Sequence, residues 1–149
     1  MIVVSDSTPI ISFAKLGMLD VLDKFYDEVL LPKAVINEVC RNPIFEAEAS
    51  AVQTCIYIKV KVVNNTQAVR KLMATGFDIG ESEAIVLAET MPESLLLMDE
   101  RKGRQIAIKM GVRVIGTLGI LLQAKKVGYI KHIAYAAQFE RVRRHWLNT

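Results

Sequence analysis

Histidine, cysteine and tryptophan are scarce in this chain, with two, two and one among 149 residues. Cys40 and Cys55 form no close metal-ligand pair, which argues against a thiolate zinc site or a disulfide framework and leaves them as small buried side chains. His132 and His145 fall in the basic C-terminal region and are read as surface groups rather than catalytic ones. The single Trp146 is read as an anchor for a final helix. No glycine-rich loop precedes a Lys-Ser or Lys-Thr pair, so a nucleoside triphosphatase is not expected. Long apolar runs are missing too: nothing approaches the roughly 18 residues of a membrane span. The start of the chain, Met1 to Asp6, has no basic segment and reaches an acid too soon for a secretory signal, so a cytoplasmic location is expected.

What is present is apolar residues in short blocks. They make up 52% of the chain, and the mean hydropathy is positive. A parallel sheet covered by helices on both faces uses near-continuous apolar strands, which accounts for the excess. The length suits a single domain over residues 1–149, and no linker, repeat or low-complexity tract divides it. A net charge of +3 permits a polyanionic partner without demanding one. The basic residues gather locally: Arg101, Lys102 and Arg104, then Lys125 and Lys126, then Arg141, Arg143 and Arg144. A solvated helix face would also explain each cluster.

Periodicity predicts strands at Ile2–Ser5, Glu28–Leu31, Tyr57–Val63, Leu95–Met98 and Val112–Ile115. Between them, helical spacing runs from Ile10 to Gly17, Met18 to Tyr26, Pro32 to Asn42 and Phe45 to Thr54. It resumes at Gln67–Thr75, Gly80–Thr90, Arg101–Met110 and Thr117–Lys126, with a last helix at Lys131–Arg144. Ser7 or Thr8 is the expected N-cap of the first helix, with Pro9 in its first turn. Strands alternating with helices along the whole chain predict a three-layer α/β/α fold with a mostly parallel sheet of about five strands. In such folds ligands bind beyond the carboxyl ends of the strands, where the strand order reverses.

Acids stand at those ends. Asp6 follows the first strand, and Asp99 with Glu100 follows the fourth. If these strands are neighbours, the two aspartates face one crevice. Glu38 lies on the helix after the second strand, between Ile36 and Val39, and Glu81 and Glu83 lie in the first turns of the helix near Gly80. Each has a plain structural alternative, because helix dipoles favour acids in first turns and Asp is a common turn residue. Gathered together, carboxylates repel unless a cation neutralises them. Oxygen ligands without His or Cys favour a hard ion, Mg²⁺ or Mn²⁺.

The stretches Val4-Ser5-Asp6-Ser7-Thr8-Pro9-Ile10-Ile11, Leu31-Pro32-x-x-Val35-x-x-Glu38-Val39, Gly80-Glu81-Ser82-Glu83-Ala84-Ile85, Leu96-Leu97-Met98-Asp99-Glu100-Arg101 and Val114-Ile115-Gly116-Thr117-Leu118-Gly119 resemble PIN domains. The resemblance is strongest to the prokaryotic PIN-like branch of predicted nucleic-acid-binding proteins related to VapC-type toxins, and it runs in order from about Ile2 to Gly128. It implies an acidic quartet of Asp6, Glu38, Glu83 and Asp99 around one or two Mg²⁺ or Mn²⁺ ions. Glu83 precedes Ala84 as the family acid usually precedes alanine. Glu81 points elsewhere on the same helix, so one of the two faces the crevice, and Glu100 stands in the same relation to Asp99. Two departures from the family pattern matter: Met98 stands where many VapC-type toxins have Thr or Ser, and the third acid is Glu rather than the more usual Asp.

The function that the resemblance implies is metal-dependent endoribonuclease activity as the toxin of a toxin–antitoxin pair, with RNA as substrate and a small antitoxin protein as partner. Arg101, Lys102 and Arg104 are the candidate RNA contacts, Thr117 is a helix N-cap or a group at the crevice mouth, and a homodimer is the expected assembly. The rival from another class is a PIN-like nucleic-acid-binding or partner-regulated module with little catalysis. Phosphotransfer through Asp6 is a weaker third reading, because Asp6-Ser7-Thr8 lacks a second acid as proton donor.

Overall fold

The computed structural model describes residues 1–130. The expected helix at Lys131–Arg144, with His132, His145, Trp146 and the basic Arg141, Arg143 and Arg144, lies outside the described residues. Five strands form one sheet: β1 (Ile2–Ser5), β2 (Glu28–Pro32), β3 (Ile58–Lys61), β4 (Leu95–Leu97) and β5 (Arg113–Ile115). Their order is β3-β2-β1-β4-β5 and every pairing is parallel. Eight helices connect and follow them: α1 (Ser7–Lys15), α2 (Leu19–Phe25), α3 (Lys33–Arg41), α4 (Glu46–Thr54), α5 (Thr66–Ala74), α6 (Ile79–Glu89), α7 (Arg101–Lys109) and α8 (Thr117–Lys126), with a 3-10 turn at Pro43–Phe45 before α4.

Alternation along the strands builds two cores, because successive side chains in a strand point to opposite faces. Val3, Val29, Leu31 and Leu97 face one core with residues of α1, α2, α3, α4 and α8, among them Ile10, Phe13, Leu22, Val35, Val52 and Ile120. Val4, Leu30 and Leu96 face the other with Val69 and Leu72 of α5, the run Ala84–Ala88 of α6 and Ala107 of α7. The central strands are therefore apolar on both sides. This is the three-layer α/β/α arrangement expected from the sequence.

Three expected strands are shorter than their apolar runs: β3 and β5 each start one residue late, at Ile58 and Arg113, and β3 and β4 end early for one reason. Val62 and Val63 fall outside β3 because Pro32, opposite Lys61, is the last residue of β2, and the chain then turns into α3. Likewise Met98 falls outside β4 because its neighbour β1 ends at Ser5, opposite Leu97. Met98 keeps one sheet-like bond, donating its amide to Ile115 O at 3.1 Å. The expected cap at Ser7 or Thr8 is also displaced: Asp6 holds the N-cap position and Ser7 is already helical. Gly103 fixes how α7 seats on β4, since a Cβ there would stand 2.4 Å from Met98 Sδ.

At the sheet edge, β3 is largely exposed. Lys59 pairs with Glu28 at 3.5 Å, and Val60 stays 46% accessible. Among the described residues no helix is long and apolar enough to cross a membrane.

Leu30 and Leu31 are both almost fully buried, in different cores. Each single change to Ala is expected to cost ~2–5 kcal/mol, by lost transfer energy plus a cavity. The side chains share no core but adjoin on one strand, so any departure of the double variant from the sum of the two measures coupling through the β2 backbone. Urea unfolding of the four proteins checks this.

Candidate functional site

The strand order reverses between β1 and β4, and both strands end at the same level, with Ser5 opposite Leu97. Asp6 and Asp99 therefore leave neighbouring strands at the point where an open α/β sheet forms its crevice. The Asp6 amide donates to Leu97 O at 3.1 Å, which ties the first acid to the end of β4. Asp6 is only 4% accessible. Although it occupies the N-cap position of α1, its side chain makes no capping bond. Its Oδ1 is buried without a hydrogen-bond partner among the described residues. A plain turn or cap role does not account for such a group, because an unsatisfied buried oxygen is costly.

Electrostatics identifies its neighbours. Burial pushes the Asp6 carboxyl up to about 8; the Ser7 backbone N–H opposes this, and the charges of Glu81, Asp78 and Glu38 add to it. Glu38 is also raised, first by lost hydration and then by Asp78, against a hydrogen bond with the Ser7 side chain. Glu81 is raised by lost hydration, and Asp78 and Glu100 add to this. The carboxyl end of Glu38 lies against α6: a Cβ on Gly80 would stand 3.3 Å from Glu38 Oε2 and 3.5 Å from Asp78 Oδ1. Gly80 thus lets the start of α6 approach both acids.

The remaining predicted acids hold backbone amides. Glu83 Oε1 accepts from Ala34 N at 3.0 Å, fastening α6 to the first turn of α3. Both oxygens of Asp99 are engaged by Thr117, Oδ1 by its amide at 2.8 Å and Oδ2 by its hydroxyl at 2.6 Å. Glu100 is the N-cap of α7 and accepts from the amides of Lys102 and Gly103. Thr117 itself is the first residue of α8, with Gly116 as N-cap. Arg104 is half-buried and donates to Met98 O at 3.2 Å. Its Nη1 and Asp99 Oδ1 both flank Gly116, where a Cβ would stand 2.5 Å from the first and 3.1 Å from the second. Arg101 and Lys102 are exposed.

Sequence reasoning overlooked Asp78. It forms a capping box with Glu81: Glu81 N donates to Asp78 Oδ1 at 2.7 Å, and Asp78 N to Glu81 Oε1 at 2.9 Å. The signal was available, since Asp78-Ile79-Gly80-Glu81 has the cap-x-x-Glu spacing that opens a helix.

A divalent cation can be tested against this arrangement. As the side chains lie, no three His, Cys, Asp or Glu groups among the described residues converge on one ion position. The donor chemistry does fit: the acids around Asp6 offer only oxygen, which suits a hard cation. The orphaned Oδ1 of Asp6 is a buried acceptor that such a charge would satisfy.

A doubly wound parallel sheet with carboxylates at its reversal point defines an α/β domain with an acidic crevice. A family model described as a PIN domain matches residues 2–145. The chain therefore belongs to the PIN-domain family. No curated protein matches it significantly.

The raised Asp6 sets a pH dependence. Below 3.8 its carboxyl is protonated in both the unfolded and the folded chain, and as pH rises toward about 8 only the unfolded chain releases that proton. Metal-free protein should thus lose stability across this window, with the full loss present above it. Asp6→Asn should abolish that loss and be the more stable protein at pH 8 by more than ~1 kcal/mol. Thermal unfolding in EDTA across the range measures it, and parallel curves for the two proteins would refute it.

Proposed function

We propose that the protein is a metal-dependent endoribonuclease that hydrolyses phosphodiester bonds of single-stranded RNA, with Asp6, Glu38, Glu81 and Asp99 as the oxygen ligands of Mg²⁺ or Mn²⁺. The observation that carries this reading is the buried, unpartnered Oδ1 of Asp6 with three further carboxylates acting on it. Membership of the PIN family supports it. Glu81 takes the third place here in preference to Glu83. The ground is electrostatic: the charge of Glu81 bears on Asp6, while one oxygen of each glutamate accepts a backbone amide.

The bound cation supplies Lewis acidity toward the phosphodiester and its attacking water. The protein's own groups prepare the place. Ser7 steadies Glu38 through its hydroxyl, and Thr117 fixes the direction of Asp99. Asp6 holds its proton tightly, so cation and proton compete for it. Arg104, beside Asp99, is placed to meet a phosphate, and the exposed Arg101 and Lys102 draw the RNA backbone in, an attraction that weakens with salt. A small antitoxin protein and a homodimer complete this reading on the strength of the resemblance to VapC-type toxins.

One observation favours a second reading, a PIN-like binding module with little catalysis. No three acids converge among the described residues, and both oxygens of Asp99 are already engaged.

Two experiments decide. Asp6→Asn and Asp99→Asn are each expected to abolish Mn²⁺-dependent cleavage of single-stranded RNA while far-ultraviolet circular dichroism stays native; undiminished cleavage in both rejects the nuclease. Calorimetry separates the two glutamates. Glu81→Gln should weaken Mn²⁺ binding by about 10–100-fold, as loss of a metal-supporting carboxylate commonly does. Glu83→Gln, which keeps an acceptor for Ala34, should leave it unchanged.

A further inference from the structure

The acids border a cleft between α3, the 3-10 turn and the start of α6, with a volume of about 910 Å³. Glu38 and Asp78 form the wall nearest the crevice, and Asn37, Arg41 and Asn42 lie among the other lining residues. Ile44 and Ile79 also line it, and they are 61% and 50% accessible. Together with Ala34 and Phe45 they give the cleft an apolar side opposite its charged and amide groups. Arg41 is exposed and makes no ion pair or hydrogen bond with the described residues.

We propose that this cleft seats the nucleotide adjoining the scissile bond of a single-stranded RNA, with Arg41 on its phosphate, Ile44 and Ile79 against the faces of its base, and Asn37 with Asn42 at the base edge. This rests on the nuclease reading and names where its substrate lies. The cleft's volume is that of sites holding ligands of nucleotide size, ~300–1,000 Å³. Its apolar pair can pack on the faces of an unstacked base, which a duplex would hide. Asn side chains pair well with base edges because one amide both donates and accepts. Asn42 Oδ1 already accepts from Ile44 N at 3.1 Å, so its amino group is the part left to donate. A cationic peptide would gain from Glu38 and Asp78 but would meet Arg41 with like charge. A phosphate gains from Arg41, and the cation proposed beside Glu38 removes the repulsion on the other side.

The full chain is irradiated with labelled, randomised single-stranded hexaribonucleotides carrying thiouridine, in Mg²⁺ and in EDTA, and the adducts are mapped by mass spectrometry. Adducts are expected within Asn42–Phe45 and at Ile79. Adducts confined to Arg101–Arg104 overturn the proposal. Arg41→Ala, which removes none of the carboxylates proposed to hold the ion, should lower the slope of log affinity against log salt by about 0.7, the loss of one single-strand phosphate contact. An unchanged slope overturns it as well. Binding of an oligo-arginine peptide with no RNA adduct also overturns it and assigns the cleft to a basic protein segment. Cleavage with adducts elsewhere sinks the cleft alone, whereas adducts in the cleft without cleavage uphold it and sink the hydrolytic reading.

Discussion

Everything at the reversal point of the sheet is organised around one buried carboxyl. Asp6 is carried there by β1, pinned to β4 through its own amide, and closed over by the start of α1. A carboxyl in that position disfavours its charged form twice, once through lost hydration and again through the acids opposite it. The fold tolerates this because the cost falls on a small region held between two large apolar cores. Such local expense is expected where a structure is shaped for a ligand rather than for its own stability.

Some of the other acids act on Asp6, and several also hold the starts of helices. Glu83, Asp99 and Glu100 each occupy the amides at the start of a helix, namely α3, α8 and α7. Helix starts present free N–H groups and a positive dipole end, so carboxylates settle there. Several helices begin around the crevice, so a gathering of acids is partly a gathering of helix starts. Asp78 and Glu81 belong to both groups, because they cap α6 while their charges bear on Asp6.

That double use explains what could be read in the sequence and what could not. The strands and helices were legible because burial on both sheet faces leaves unbroken apolar runs such as Leu95-Leu96-Leu97, bounded by an acid or a glycine. Strand ends were not, since the length of β3 and β4 is set by where the neighbouring strand turns into a helix. That acids would follow β1 and β4 was legible as well. Which glutamate of α6 turns toward Asp6 was not, because Glu81 and Glu83 differ only in direction on the helix. The contact of Glu83 with Ala34, for one, spans 49 positions of chain. No local pattern carries such information.

The outer strand β3 has an implication for self-association. An unpaired strand edge is a template on which another chain can build, and lysines there are a common safeguard. Lys59 and Lys61 occupy alternate positions of this four-residue edge, beside the exposed Val60. Two copies laid edge to edge would bring these ammonium groups together. This border of the sheet is thereby guarded against endless ribbon growth.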